Sequence, residues 1–167
     1  MVTAFYIASA MAIVSTALAV SRTNAVHALL YLVLSLISVA VLFLLLGAPF
    51  VAALEIIVYA GAIMVLFVFV VMLLNLGRAG EQQERRWMPP RAWIGPALIG
   101  AALLAELAYV LPGLPALGQE GAMAVKPVAI AMYGPYLLGV EAAALLLLAG
   151  MVGAYHLGRE PDKEARR

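Results

Sequence analysis

Five long apolar stretches, separated by short polar connections, make up most of the chain. A helix needs about 20 apolar residues to cross a hydrocarbon core about 30 Å thick. Backbone groups in lipid must be hydrogen-bonded within their own segment, and the stretches lack the alternation of a barrel strand, so each is predicted to be a helix. The predicted helices are residues 2–20, 25–46, 51–76, 92–111 and 137–157.

Composition places the chain in a bilayer. Of its 167 residues, 66% are hydrophobic and 11% are charged, whereas a soluble domain has roughly 45–50% apolar and about 25% charged residues. The predicted fold class is therefore an all-α integral membrane protein with a single membrane domain. The first stretch has no lysine or arginine before Arg22, so we interpret it as a mature helix and not a cleaved signal.

The distribution of basic residues predicts the topology, because short loops rich in lysine and arginine stay in the cytoplasm. Nine of the ten basic residues lie on the side of the first turn, the third connection and the C-terminal tail, and only Lys126 lies on the other side. We expect the N-terminus outside and the C-terminus in the cytoplasm.

The third predicted helix has unusual features for a membrane anchor. Its 26 residues would span about 39 Å at 1.5 Å per residue, so it must tilt, protrude or contain an irregularity. Glu55 and Tyr59 share one face at i,i+4 spacing. Gly61 follows, and glycine permits both close contact and backbone adjustment. We interpret residues 52–75 as the helix that carries the function of the protein.

Three carboxylates fall inside predicted helices: Glu55, Glu106 and Glu141. A charge at mid-bilayer costs at least about 2.5–3.5 kcal/mol, so such residues usually face a bundle interior or a water path. With Tyr59 they are our proton-path candidates, all in the outer half of the membrane. We expect Glu106 to be the most solvated and Glu141 to be buried. No lysine or arginine inside a helix pairs with them, which indicates that the chain works in a complex.

Other functional classes lack a signal. The chain has no cysteine, which excludes disulfides and thiolate sites. It has no nucleotide fingerprint, histidine cluster or nucleophile–base pair, so no catalytic, cofactor or metal site is predicted. The hydrophilic residues 77–91 are interpreted as a solvated loop and not a nucleic-acid site. His27 and His156 are interpreted as structural residues near the interfaces, and residues 112–135 as an outer loop that lies against the membrane surface or a partner.

Several strings resemble subunit J of NADH:quinone oxidoreductase, the respiratory complex I. They are Asn24-Ala-Val-His-Ala-Leu-Leu-Tyr31, Val58-Tyr-Ala-Gly-Ala-Ile-Met-Val-Leu-Phe67, Tyr136-Leu-Leu-Gly-Val-Glu141 and Val152-Gly-Ala154. The resemblance covers all five helices in order and is strongest from Ala25 to Asn75. The chain departs from it at Ala25, where the family usually has proline, which leaves the start of the second helix open.

The resemblance implies a non-catalytic subunit without cofactors, in a multi-pass protein of the cell membrane. NADH, FMN, iron–sulfur clusters and quinone would belong to other subunits, and the partners would include quinone-site and antiporter-like membrane subunits. It also implies a π-bulge around Tyr59 and Gly61. Loss of the bulge would turn the following residues by about 100°, so Tyr59, Gly61 and Val65 are the predicted hinge. Rotation would exchange a dry face with Val65 and Phe69 for a wetter one.

Two alternatives stay open. The same fold serves as a module of multi-subunit cation/proton antiporters and membrane-bound hydrogenases. In the second alternative, the chain is a purely structural membrane subunit whose carboxylates are merely solvated.

Overall fold

The described part of the computed structural model, residues 1–74, 93–113 and 125–158, is helical and contains no strand. Its helices are α1 (Val2–Ser21), α2 (Ala25–Leu45), α3 (residues 49–74), α4 (Ile94–Val110), α5 (Val125–Tyr133) and α6 (Leu137–Gly158). Helix α3 consists of an α segment Pro49–Leu54, a π-helical segment Glu55–Ile63 and an α segment Met64–Leu74. A 3₁₀ turn, Leu111–Gly113, follows α4.

Five of these helices are long and apolar enough to cross a membrane, namely α1, α2, α3, α4 with its 3₁₀ turn, and α6. This confirms the five predicted membrane helices. Asn75, Leu76 and Ala92, at the ends of two of these predicted helices, lie outside the described residues. The chain divides into two compact units, Met1–Ala124 (unit 1) and Val125–Arg167 (unit 2).

Helices α1 and α2 form the most extensive packing interface of unit 1. The buried residues of α1 are Ala4, Ala8, Ala12 and Ser15, which recur every three or four positions and therefore lie on one face. Their small side chains let the two helices approach closely, which is how helices associate in lipid.

The start of α2 is fixed by an N-cap. The Asn24 side-chain oxygen accepts hydrogen bonds from the backbone N–H groups of Val26 (2.9 Å) and His27 (3.2 Å). Asparagine is among the best N-cap residues because it satisfies backbone donors that have no partner in the first turn. Helix α2 therefore begins at Ala25 without the proline that the family resemblance led us to expect there.

The chain reverses between α2 and α3 at Gly47, which has φ = 77° and is the one residue with positive φ in the described ranges. The N–H of Ala48 donates to the carbonyl of Phe43 over 2.9 Å, which closes the end of α2 in the manner of a glycine C-cap. Pro49 then opens α3, where a missing N–H costs nothing. Helix α3 packs back along α2, so the two helices form an antiparallel pair.

Helix α4 lies against both α1 and α2. A Cβ atom at Gly113 would lie 3.3 Å from Cε of Met1, and one at Gly100 would lie 3.6 Å from a Cδ atom of Leu34. The end of α4 is thus beside the start of α1, whereas α4 runs parallel to α2. These directions are those of successive helices that cross a membrane in alternation.

Unit 2 contains α5 and α6. Helix α5 occupies part of the stretch that we predicted to be an outer loop. Pro127 obscured this helix in the sequence, but it is the third residue of α5, where its missing N–H breaks no helical hydrogen bond. A short turn at residues 134–136 leads into α6, with Leu137 N–H donating to the Gly134 carbonyl over 3.2 Å.

Candidate functional site

The π-helical segment of α3 contains the residues that the sequence singled out. At its start, the N–H of Glu55 bonds to the carbonyls of Ala52 and Val51, three and four residues back. At its end, the N–H of Met64 bonds to the carbonyls of Tyr59 and Gly61, five and three residues back. A bond over five residues places one extra residue in the turn. A single-turn bulge that moves, as the resemblance implies, stays a prediction.

This π segment is held to α2 at its two ends. Ala52 before it is 1% exposed and Met64 after it is 2% exposed, whereas none of residues 53–63 is buried. Helix α3 packs on α2 within unit 1. The π segment therefore has close packing at its ends and little along its length.

Gly61 lies close to the backbone of the preceding turn of the π segment. A Cβ atom added there would lie 3.1 Å from the carbonyl oxygen of Ile56, five residues earlier. Such a contact is tighter than a side chain normally makes, so the carbonyl would have to move by a few tenths of an ångström. A side chain at this position would therefore press on the Ile56 carbonyl in the observed register.

Glu55 and Tyr59 present their polar groups on an open surface. Glu55 is half-buried and Tyr59 is 50% exposed, and neither side chain has a hydrogen-bond partner among the described residues. Val65 and Phe69 are exposed as well. In a membrane, a carboxyl and a phenol one turn apart need water or another subunit as partners, so this group is suited to passing protons through water.

Glu106 occupies a different interface, beside the backbone of Ala8 in α1. The residue is 8% exposed, and neither carboxyl oxygen has a hydrogen-bond partner in the described ranges. Our expectation that it is the most solvated of the three carboxylates is wrong. The position near a helix end suggested solvent, but packing of α4 on α1 and α2 covers the side chain.

Glu141 is exposed within unit 2, so the expectation that it is buried stays a prediction. The neighbouring Tyr136 is 68% exposed, and the one helix that packs against α6 in unit 2 is the short α5. An apolar sequence around a carboxylate predicts a membrane position but not the helix that would cover it.

Sequence reasoning missed the surroundings of His27. The residue is buried, and its Nε2 atom has no partner in the part of the chain that the structure describes. Its ring centroid lies 6.3 Å from that of Trp93, and the guanidinium of Arg22 lies 5.3 Å from the centre of the Tyr31 ring. The spacing of Tyr31, one turn after His27, was the available signal.

No group of three or more histidine, aspartate or glutamate side chains comes together within the described ranges. His156, in the last turn of α6, is exposed. The described residues offer single carboxyl, phenol and imidazole groups, which can bind water and protons.

Residues 15–157 match the model of the family described as NADH-ubiquinone/plastoquinone oxidoreductase chain 6. The chain belongs to that family. A chain 6 family relative from Pseudomonas aeruginosa, named NADH-quinone oxidoreductase subunit J, is 54% identical over 163 residues, which cover 96% of this chain and 98% of the relative. The Escherichia coli K12 protein of the same name is 53% identical over 158 residues, or 94% and 86% of the two chains. A Rhodobacter capsulatus relative is 40% identical over 162 residues.

The family match agrees with the resemblance that the sequence strings carry, including the string around Tyr59 and Gly61. With five apolar helices and bacterial relatives over nearly its whole length, this chain 6 family member is a multi-pass protein of the inner membrane.

Proposed function

We propose that the chain is a membrane-arm subunit of NADH:quinone oxidoreductase, respiratory complex I, and that it helps to couple quinone reduction to proton translocation. Its family and the names of relatives at 53–54% identity support this assignment. The chain has no redox centre and no substrate of its own. NADH, FMN, iron–sulfur clusters and quinone belong to other subunits of the assembly.

The coupling element is the π segment of α3. This role rests on one observation: a nine-residue π-helix lies between two buried residues, Ala52 and Met64, with no buried residue between them. Such a segment exchanges the π register for the α register without moving a buried side chain of its own, and the buried residue that has to move is Met64 at its end. The residues after it would then turn by about 100° and shift by about 1.5 Å.

Rotation changes which side chains line the surface beyond the hinge of Tyr59, Gly61 and Val65. In one register Val65 and Phe69 present an apolar surface, which water avoids. In the other register they turn away, and a water path that includes Glu55 and Tyr59 becomes continuous. The partners are the quinone-site and antiporter-like membrane subunits, and Glu141 contributes from α6 once such a partner covers it.

The orientation follows from the basic residues, with the N-terminus outside and the C-terminus in the cytoplasm. Glu55, Glu106 and Glu141 then lie in the outer half of the membrane. The directions of α1, α2 and α4 fit this orientation and its reverse equally, so the basic residues alone support it.

The assignment is tested by purification of the tagged chain from its native membrane in mild detergent. We expect it to elute with NADH:quinone reductase activity and with large antiporter-like subunits. Elution alone refutes the proposal. Elution with antiporter or hydrogenase subunits, and without NADH oxidation, identifies the homologous module of those assemblies instead.

The coupling role is tested by Gly61→Val in the assembled complex. We expect NADH oxidation to continue while the protons translocated per NADH fall, because a side chain at position 61 presses on the Ile56 carbonyl and disfavours the π register. Gly139→Val is the control, since a Cβ atom there meets none of the described residues within 4 Å.

A purely structural subunit predicts another outcome. If Gly61→Val, Tyr59→Phe and Glu141→Gln all assemble and translocate protons as the parent does, α3 has no role in coupling.

A further inference from the structure

A line of polar residues runs along the buried face of α2. His27, Tyr31, Ser35 and Ser38 are all buried, and their spacing of four, four and three residues puts them on one side of the helix. The line extends over about 16 Å along the helix axis at 1.5 Å per residue. It lies apart from the π segment of α3 and takes no part in the function proposed above.

Helix α1 adds two polar side chains beside the middle of this line. The hydroxyls of Thr16 and Ser35 lie 2.7 Å apart, and Ser35 also donates to the carbonyl of Ala12 over 3.2 Å. Ser15, the neighbour of Thr16, is fully buried, but its hydroxyl has no partner within the described ranges.

Helix α4 covers the same line. Its Gly95 lies against the Tyr31 hydroxyl, and Gly100 approaches Leu34 closely enough that a Cβ atom would be 3.6 Å from it. Further along α4, Glu106 lies beside the backbone of Ala8. We call these residues of the three helices the polar track: His27, Tyr31, Ser35, Ser38, Ser15, Thr16 and Glu106.

Four buried atoms of the polar track have no hydrogen-bond partner in the described part of the chain: Ser15 Oγ, His27 Nε2 and both carboxyl oxygens of Glu106. Buried polar groups in proteins are almost always hydrogen-bonded, either to protein or to ordered water. These atoms are covered by their own unit, so a neighbouring subunit does not reach them. Water is the ligand that fits, because it both donates and accepts and commonly binds buried polar groups that have no protein partner.

We propose that α1, α2 and α4 enclose bound water along the polar track and that Glu106 gains and loses a proton through it. A hydronium ion in the track transfers its proton to a carboxyl oxygen of Glu106 and leaves a water molecule, and the reverse step returns the proton. The track is a second proton-accepting site of the chain, separate from Glu55 and Tyr59.

The charges around Glu106 favour this role. Helices α1, α2 and α4 contain no lysine or arginine, so no basic side chain within them neutralises the carboxylate, and a proton does so instead. Arg22 lies over Tyr31 at the opposite end of the track. The other titratable groups on these elements are the Met1 amino group, Tyr6, His27, Tyr31 and Tyr109.

Bound water is detectable by radiolytic hydroxyl-radical labelling of the unaltered protein in native membranes, read by mass spectrometry. Leu103 is 3% exposed and lies one turn before Glu106 on the buried side of α4, whereas its neighbour Leu104 is 69% exposed and faces away. We expect Leu103 to be labelled several-fold faster than Leu104, because the water is inside. Equal labelling of the two, or no labelling of Leu103, overturns the proposal.

Proton uptake by Glu106 is tested by infrared difference spectra between acid and alkaline pH, on the chain purified with the subunits it carries. We expect Glu106→Gln to lose a protonated-carboxyl band that Glu141→Gln keeps. Identical difference spectra for the parent and Glu106→Gln refute proton uptake. If Glu106→Gln does not fold, Ser15→Ala replaces it in the hydroxyl-radical labelling experiment. We expect slower labelling of Leu103 in Ser15→Ala, and unchanged labelling contradicts the proposal. Neither measurement depends on which assembly contains the chain.

Discussion

Helices α2 and α3 are comparably apolar and lie against each other, yet they are packed in opposite ways. Every fourth or third residue of α2 from His27 to Ser38 is buried, between α1 on one side and α4 on the other. In α3, residues 53–63 contain no buried position. Small residues on the neighbours, such as Ala8 on α1 and Gly95 on α4, make the close packing of α2 possible.

The comparison teaches that apolar composition places a helix in the membrane but does not determine how firmly it is held. Lipid is as apolar as a leucine side chain, so helices associate through close packing and hydrogen bonds. Helix α2 has both, whereas the π segment of α3 contacts α2 without a buried side chain and without a side-chain hydrogen bond among the described residues. A helix that changes register must be packed as loosely as the π segment of α3. Four measurements test this contrast.

The largest effect is expected for Gly95→Ala. Its Cβ atom would collide with the Tyr31 hydroxyl and lie 3.4 Å from Cζ of that ring, and overpacking of this kind costs about 1–3 kcal/mol. We expect a loss near the upper end of that range in the free energy of unfolding, measured by SDS titration of the solubilised protein. Gly100→Ala is the matched control, with an expected change within about 0.5 kcal/mol.

Tyr31→Phe should rescue Gly95→Ala, because it removes the oxygen that the new methyl group meets. Equal losses for Gly95→Ala and Gly100→Ala would mean that α4 does not approach α2 as closely as described.

The next effect is expected for Met64→Ala, which removes the buried residue at the end of the π segment. Large-to-small substitutions at buried sites cost about 2–5 kcal/mol in soluble proteins, and we expect about 2 kcal/mol here since lipid lowers the transfer contribution. The SDS titration measures the loss. Val65→Ala, at a position that is 65% exposed, should change stability by less than about 0.5 kcal/mol. A Val65→Ala loss as large as that of Met64→Ala would show that α3 is not held at Met64.

A smaller effect is expected for Asn24→Ala, which removes the N-cap of α2. The loss should be about 1 kcal/mol and should appear as faster hydrogen exchange at the amides of Val26 and His27, whose donors lose their acceptor. Thr23→Ala is the neighbouring control and should leave those amides unchanged. Unaltered exchange in Asn24→Ala would mean that packing alone fixes the start of α2.

The smallest effect is a coupling energy. A double-mutant cycle with Thr16→Val and Ser35→Ala should give about 0.6 kcal/mol for the hydrogen bond between α1 and α2, the typical value between membrane helices. The same cycle with Glu55→Gln and Tyr59→Phe should give a value near zero, because neither group bonds the other. Equal coupling in the two cycles would remove the contrast between the helices.

The membrane helices were predictable because each is a continuous apolar run, a property of neighbouring residues alone. The grouping of Glu55, Tyr59 and Gly61 was predictable for the same reason. Ser35 and Ser38 behave as hydroxyl residues of apolar helices generally do, since Ser38 donates to the Leu34 carbonyl of its own helix and Ser35 to that of Ala12 on a neighbour.

Burial of the carboxylates was not predictable from the same signals. Glu106 and Glu141 have similar apolar surroundings in sequence, but Glu106 is buried in unit 1 and Glu141 is exposed in unit 2. The residues that cover Glu106 come from α1, almost 100 positions earlier. The helical register of the π segment was not predictable either, because it depends on which carbonyl each backbone N–H bonds to. Gly61 indicates only where an irregularity fits.

The reversal at Gly47 gives α3 one anchored end and one movable end. Because the Ala48–Phe43 hydrogen bond and Pro49 fix where the helix starts, loss of the extra residue in the π turn cannot be absorbed there. The whole displacement, about 1.5 Å along the axis and about 100° around it, is transmitted toward Leu74. Met64 would leave its buried position in the process, so the packing of this one side chain contributes to the energy barrier between the two registers.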